Sequence, residues 1–257
     1  MHTVKKLIHA SLLWALFFTP AVNAGLPETI EKIKPSIVGI GTLMKLRQPP
    51  ARLMGTGFAV ANGRYIITNA HVIPDEIDYE KNESLVVFIG SGRDSIMRSA
   101  AVIKTDKHHD LALLKVSDFR LPAMQLGKMT QVREGELYAF TGFPIGAVLG
   151  LYPVTHRGIV SAISPVAIPV SSTRQLDAAM IRRLKNVYNI IQLDATAYPG
   201  NSGSPLYDAE SGIVLGVINK VFVKETKEKV LEKPSGITYA IPVTHVRNLL
   251  KSAGIKY

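Results

Sequence analysis

The segment Tyr198-Pro199-Gly200-Asn201-Ser202-Gly203-Ser204-Pro205-Leu206 sets a serine in a turn between two glycines. A serine hydroxyl can act as a nucleophile where the backbone turns sharply and a substrate backbone can come close. Gly200 and Gly203 permit both, and the amides of Gly200, Asn201 and Ser202 can converge on one point to hold an oxyanion. The hydroxyl also needs a base. Of the seven histidines, His2 and His9 lie in the first two dozen residues, whereas His71, in Thr68-Asn69-Ala70-His71-Val72, directly follows the apolar run Tyr65–Thr68, where a strand gives way to a loop. A base of this kind needs an acceptor that selects its tautomer and stabilises the imidazolium. Asp110 stands at the head of the buried-looking run Leu111–Val116 and could serve. Each residue alone has an ordinary reading: turn chemistry for the serine, a backbone-satisfied ring for the histidine, a turn former for the aspartate. In the order His71, Asp110, Ser202 they point together to acyl transfer through a nucleophilic serine.

These residues must be held by rigid elements. Gly and Pro recur every 8 to 15 residues, and short runs rich in Val, Ile, Leu, Tyr and Phe lie between them. The runs are 36–42, 57–60, 65–68, 84–89, 111–116, 137–140, 158–161, 190–193, 213–218 and 236–241. Short strands at this spacing, divided by turn signals, predict an all-β sandwich or barrel pair. Three stretches have helical character: a short turn over 28–33, residues 173–186, and 242–253. The last places Val243, Val246, Leu249 and Leu250 on one face, with Pro242 before it and Gly254 beyond it. The irregular segments 74–84, 164–188 and 221–235 are where loops that select a substrate or contact a partner are expected.

Composition narrows the class. The 257 residues contain no Cys, which excludes disulfide scaffolds, thiol catalysis and Cys-based metal sites, and 47% are hydrophobic, too many for a disordered chain. Met1–Lys6 is basic, Leu7–Phe18 is apolar, and residues 19–24 end in the small-x-small pattern Val22-Asn23-Ala24, so a secretory signal peptide over 1–24 is expected. The competing reading, a membrane span, needs an apolar run of roughly 20 residues. A secreted chain without Cys suits a bacterial periplasm or exterior. The formal charge of +10 raises nucleic acid or anionic lipid as partners. The cations are spread along the chain, however, and glutamates interleave the densest run, so a solvated surface is expected and no nucleic acid. His108-His109 with Asp106 and Asp110 can be drawn as metal ligands, but neighbours in an extended segment point to opposite faces. No metal or cofactor is expected.

Six stretches carry a family resemblance: Gly55-Thr56-Gly57-Phe58, Thr68-Asn69-Ala70-His71-Val72, Asp110–Val116, Gly158-Ile159-Val160-Ser161-Ala162, Gly200–Leu206 and Tyr239-Ala240-Ile241-Pro242. In this order they resemble the protease domain of the HtrA/DegP family of trypsin-fold serine endopeptidases, over about residues 30–250. The resemblance implies two antiparallel six-stranded β-barrels, about 30–125 and 126–242, followed by a short C-terminal helix over about 243–253. The active site would lie in the cleft between them. It further implies that Ser202 attacks a peptide carbonyl, that His71 transfers the proton, that Asp110 holds His71, and that the amides of Gly200 and Ser202 bind the oxyanion. The substrates would be unfolded or exposed polypeptide segments in the periplasm or outside the cell.

The departures are as informative. Few residues follow Leu250, so no PDZ domain is expected. Residues 25–41 lack the aromatics with which that family tends to form trimers, which leaves a homo-oligomer as a weaker expectation. Position 204 is Ser where the family usually has Gly. Position 201 is Asn, which offers no charge to a new N-terminus, so no zymogen cleavage is expected beyond removal of the leader. The resemblance places substrate-binding residues at Ala195, Thr196, Val217, Ile218 and Asn219, with 237–239 opposite. No carboxylate falls among them, and position 218 lacks the His of glutamyl endopeptidases, so a small or medium apolar P1 residue is expected. The alternative is a trypsin-fold binding or chaperone-like protein with latent catalysis.

Overall fold

The structure, a computed structural model, describes residues 25–145, 150–166, 187–219 and 236–257. The expected leader over 1–24, the helical stretch 173–186, most of the 164–188 insertion and the 221–235 insertion fall outside the described residues.

Twelve strands close into two barrels. The first contains β1 (Ile37–Leu43), β2 (Ala51–Val60), β3 (Tyr65–Thr68), β4 (Ser84–Ile89), β5 (Ile96–Asp106) and β6 (Leu111–Val116), in the order β1-β2-β3-β6-β5-β4. The second contains β7 (Leu137–Gly142), β8 (Val154–Pro165), β9 (Asn189–Asp194), β10 (Pro205–Asp208), β11 (Val214–Asn219) and β12 (Ile237–Pro242), in the order β10-β11-β12-β9-β8-β7. Every pairing within the barrels is antiparallel. Closure removes the exposed edges that an open sheet of short strands would present.

Two strands escape the sequence reading. β5 turns Ile96, Met97, Val102 and Ile103 outward, where they are more than a third exposed. Its hydrophobicity therefore follows no in-out alternation, and no Gly or Pro bounds it at its C-terminal end. β10 begins at Pro205 and has four residues, so it reads as the tail of the serine turn.

Each barrel packs its own interior. Ile40, Ile66, Val87 and Leu114 fill the first, and Tyr138, Phe140, Ile191, Leu206 and Leu215 the second. A third cluster runs between them and joins Phe58 and Leu113 of the first barrel to Tyr207, Val217 and Ile241 of the second. Into the same cluster the C-terminal helix, α2 (Val243–Ser252), buries Val243, Val246, Leu249 and Leu250. The helix ends in a paired cap: Gly254 at φ +72° lets its amide reach Lys251 O while Ile255 N reaches Leu250 O, at 3.0 Å each. An N-terminal helix, α1 (Leu26–Ile33), docks on the turn after β10, where the Thr29 hydroxyl donates to Glu210 O at 2.7 Å. The two barrels and α2 thus share one apolar seam.

Candidate active site

The chain leaves β3 through Asn69 and enters a single helical turn over Ala70–Val72, which lifts His71 out of the sheet. Asp110 closes the β5–β6 turn immediately before β6. Because β3 and β6 are paired, with Thr68 opposite Ala112, the two strand ends bring His71 and Asp110 together. The Nδ1–H of His71 donates to Asp110 Oδ2 at 2.6 Å, and the amide of His71 donates to Oδ1 at 2.9 Å. A carboxylate can only accept, so this contact puts the proton on Nδ1 and leaves Nε2 with a free lone pair. The carbonyl of Asp110 is also held, by the amide of Ala70 at 3.1 Å and by Asn69 Nδ2 at 3.0 Å.

A third donor reaches the carboxylate from the other barrel. Asn219, at the end of β11 and 1% exposed, donates its Nδ2 to Asp110 Oδ2 at 2.9 Å. The resemblance places Asn219 in the substrate pocket; the structure turns its amide toward the Asp110 carboxylate. Its position at the end of an apolar strand is the one sequence cue to an inward polar role.

The serine turn docks on the first barrel chiefly through Thr56 of β2, which is fully buried. The Thr56 amide donates to Ser202 O at 2.9 Å, and its hydroxyl donates to Gly200 O at 2.7 Å while accepting from the amide of Phe143 at 3.0 Å. Thr68 Oγ1 in turn donates to Thr56 O at 2.7 Å. The sequence carries no cue to this role of Thr56, because nothing in a Gly-Thr-Gly run says which segment the threonine will meet.

The turn itself is of type II. Asn201 N donates to Tyr198 O at 3.0 Å across Pro199 and Gly200, and Gly200 sits at φ +101°. A Cβ at Gly200 would also run into the carbonyl oxygen of Phe143. Pro199 O accepts the amide of Ile145 at 2.7 Å, which turns the following N–H of Gly200 the opposite way. Among the described residues the amides of Gly200 and Ser202 donate no hydrogen bond, so two donors stand unspent beside the Ser202 hydroxyl. The Asn201 amide was expected among the oxyanion donors, but it is consumed in closing the turn. Its side chain is wholly buried, with neither polar atom hydrogen-bonded. Ser202 is 7% exposed, and its hydroxyl makes no hydrogen bond among the described residues; contacts of this kind tighten when substrate binds.

The expected pocket residues are distributed unevenly. Val217 is fully buried in the seam between the barrels, so it has no surface to offer a substrate. Ile218 and Ala195 lie in the interior of the second barrel, and Thr196 is partly exposed beside them. No group of three or more His, Asp or Glu among the described residues is arranged to hold a metal ion.

Comparison with known proteins agrees with this geometry. Residues 55–217 match the trypsin-like peptidase domain family. A protein of Pseudomonas fluorescens named "Probable periplasmic serine endoprotease DegP-like" is 32% identical over 81% of this chain and 37% of its own length. One of the same name from Halomonas elongata is 31% identical over 75% of this chain and 33% of its own. The chain therefore spans about a third of the length of these relatives. Among solved structures, the HtrA-type protease AlgW with tripeptide superposes with a TM-score of 0.62 at 26% identity, covering 88% of this chain and 62% of that one.

Proposed function

The chain belongs to the trypsin-like serine endopeptidase family, and from that footing we propose that it is a periplasmic endopeptidase that hydrolyses peptide bonds in unfolded or exposed protein segments. Ser202 Oγ attacks the scissile carbonyl while His71 Nε2 takes its proton, and the same nitrogen returns the proton to the leaving amine. Asp110, held by Asn219, keeps His71 in the tautomer that makes this possible. The developing oxyanion sits on the amides of Gly200 and Ser202. What supports the reading is an imidazole oriented by Asp110, whose carboxylate is tied to Asn219 of the second barrel, together with a serine turn that docks on Thr56 of the first barrel and carries two unspent amides. Thr196, beside Ala195 and Ala197, is small and uncharged, which favours a small or medium apolar P1 residue. One extra methylene is worth only about 1–3 kcal/mol there, so selection is loose. The periplasmic setting rests on the apolar leader over 1–24 and on the names of the relatives.

A second reading, a trypsin-fold binding protein with latent catalysis, draws on the Ser202 hydroxyl, which has no hydrogen bond to His71. Turnover of a denatured, fluorescently labelled protein by the chain and by Ser202→Ala separates the two. Cleavage that the substitution abolishes supports the peptidase. Equal inactivity of two stably folded proteins supports the binder.

A further inference from the structure

Behind Asp110, away from Ser202, lies a second group of side chains that the reaction does not use. The turn between β5 and β6 is organised by Asp106, whose Oδ1 accepts the amides of His108 and His109 at 3.1 Å each and whose Oδ2 accepts His109 Nδ1 at 2.6 Å. The His109 ring lies flat on His245 of α2, with centroids 3.8 Å apart and planes 23° from parallel. Tyr188, from the segment entering β9, stands edge-on to both, 4.7 Å from His109 and 5.0 Å from His245, and 5.6 Å from His108. Three parts of the fold meet in this cluster: a turn of the first barrel, a strand entrance of the second, and the helix that packs across the seam.

Asp110 is the next residue after His109, and its backbone lies at φ +51°, in the left-handed region that few residues other than glycine adopt cheaply. A conformation of that kind persists where its surroundings impose it. On one side the carbonyl of Asp110 is fixed by Ala70 and Asn69. On the other side Asp110 follows the stacked residue His109, which adds a constraint to those that its carboxylate takes from His71 and Asn219.

We propose that His109 and His245 are positioning residues for the His71–Asp110 pair, their stack anchoring to α2 the turn that presents Asp110. The inference rests on reading His71, Asp110 and Ser202 as the catalytic triad, and it deepens that reading by adding its support. It also makes the triad sensitive to acid. The groups facing His245 are His109, His108 and Asp106 on the β5–β6 turn and Tyr188 before β9, with Asp110 facing Tyr188 in turn. Burial and then the neighbouring His109 push His245 down to about 4, with Asp106 opposing them, so the ring is neutral in the intact stack. A proton forced onto it would set a cation against His109 at van der Waals distance. Phenylalanine keeps the flat ring and cannot take the proton.

The test uses the whole chain with His245→Ala and His245→Phe, read by the low-field NMR signal of the His71 Nδ1 proton and by kcat and KM on a denatured protein. His245→Ala is expected to shift or broaden the His71 signal and to lower kcat by up to about 10²-fold, the scale of a 1 Å misplacement, with KM little changed. His245→Phe is expected to restore both and, as pH falls from 6.5 toward 4, to give a pH response of the His71 signal that differs from the parent's. The inference is overturned if His245→Ala leaves both readouts at the parental values, or if His245→Phe is as impaired as His245→Ala. Should His245→Ala not fold, the pH response of His245→Phe decides alone, and a response identical to the parent's overturns the inference. A parent chain that cuts nothing while its His71 signal still answers to His245 would sink the peptidase reading and leave the coupling standing.

Discussion

Replacing Thr56 by valine keeps the shape and the backbone amide and removes one hydroxyl, which isolates a single device. In the structure that hydroxyl serves two buried partners: it donates to Gly200 O at 2.7 Å and accepts from Phe143 N at 3.0 Å. Thr56 is wholly inaccessible, so water cannot replace either bond. Each orphaned buried partner costs about 1–3 kcal/mol, and the pair therefore about 2–6 kcal/mol, a substantial part of the 5–15 kcal/mol typical of a whole domain. For a protein of this size each kcal/mol moves Tm by roughly 2–4 °C, so Thr56→Val should lower Tm by roughly 4–24 °C. The catalytic effect follows from Gly200, whose carbonyl loses its anchor and whose amide then loses its fixed direction. Complete loss of one oxyanion donor costs about 10²–10³ in kcat, so a fall of tenfold or more, below that ceiling, is expected with KM nearly constant. Thr56→Ser retains the hydroxyl and should recover most of kcat. Calorimetry and steady-state kinetics on the three proteins check this. If Thr56→Val matches the parent in both, or if serine fails to recover kcat, the hydroxyl is not what holds the turn.

Gly200→Ala combines an unfavourable left-handed φ with a Cβ aimed at Phe143 O, and it should reduce kcat further than Thr56→Val does. A Gly200→Ala enzyme with unaltered kcat would mean that the amide there is not an oxyanion donor. Stability should depend on acid through His245. Its folded value of about 4 lies below the ordinary 6.5, so between those values the unfolded chain takes up a proton that the native ring refuses. The stabilisation is complete above about 6.5, shrinks as pH falls, and is lost by about 4; because the ring is only partly buried, solvent screening holds the total below the roughly 3 kcal/mol that the whole shift would correspond to. Burial raises the Asp106 carboxyl, but its bonds from His109 and His108 outweigh this and hold it below its ordinary range, which adds a further loss at lower pH. Chemical denaturation at a series of pH values should show this slope in the parent and a shallower one in His245→Phe.

What the sequence made legible, and what it did not, follows from the range of the interactions. β3, β4 and β6 were delimited residue for residue, because each is a buried run cut off by turn formers on both sides, so local chemistry alone marks its ends. β5 was not, since a barrel strand with an apolar outer surface has no period to detect. The same division runs through the site. His71 and Asp110 lie at the ends of paired strands, and a reader who finds both strands has found both residues. Ser202 announces itself by its glycines. The residues that fit these three together are different in kind: Thr56, Asn219, His109 and His245 each act on a segment distant in the chain or in another barrel. Their types are unremarkable for a strand or a helix, and their roles exist only after closure of two barrels has chosen their neighbours. Asn219 shows the limit best. Its place at the end of β11 is legible, but whether its amide faces a substrate or the Asp110 carboxylate depends on how the two barrels meet along the seam of Phe58, Leu113, Val217 and Leu250. In this fold the reacting groups are encoded locally and their alignment is encoded in the interface, so substitutions along the seam should disturb rate before they disturb either barrel.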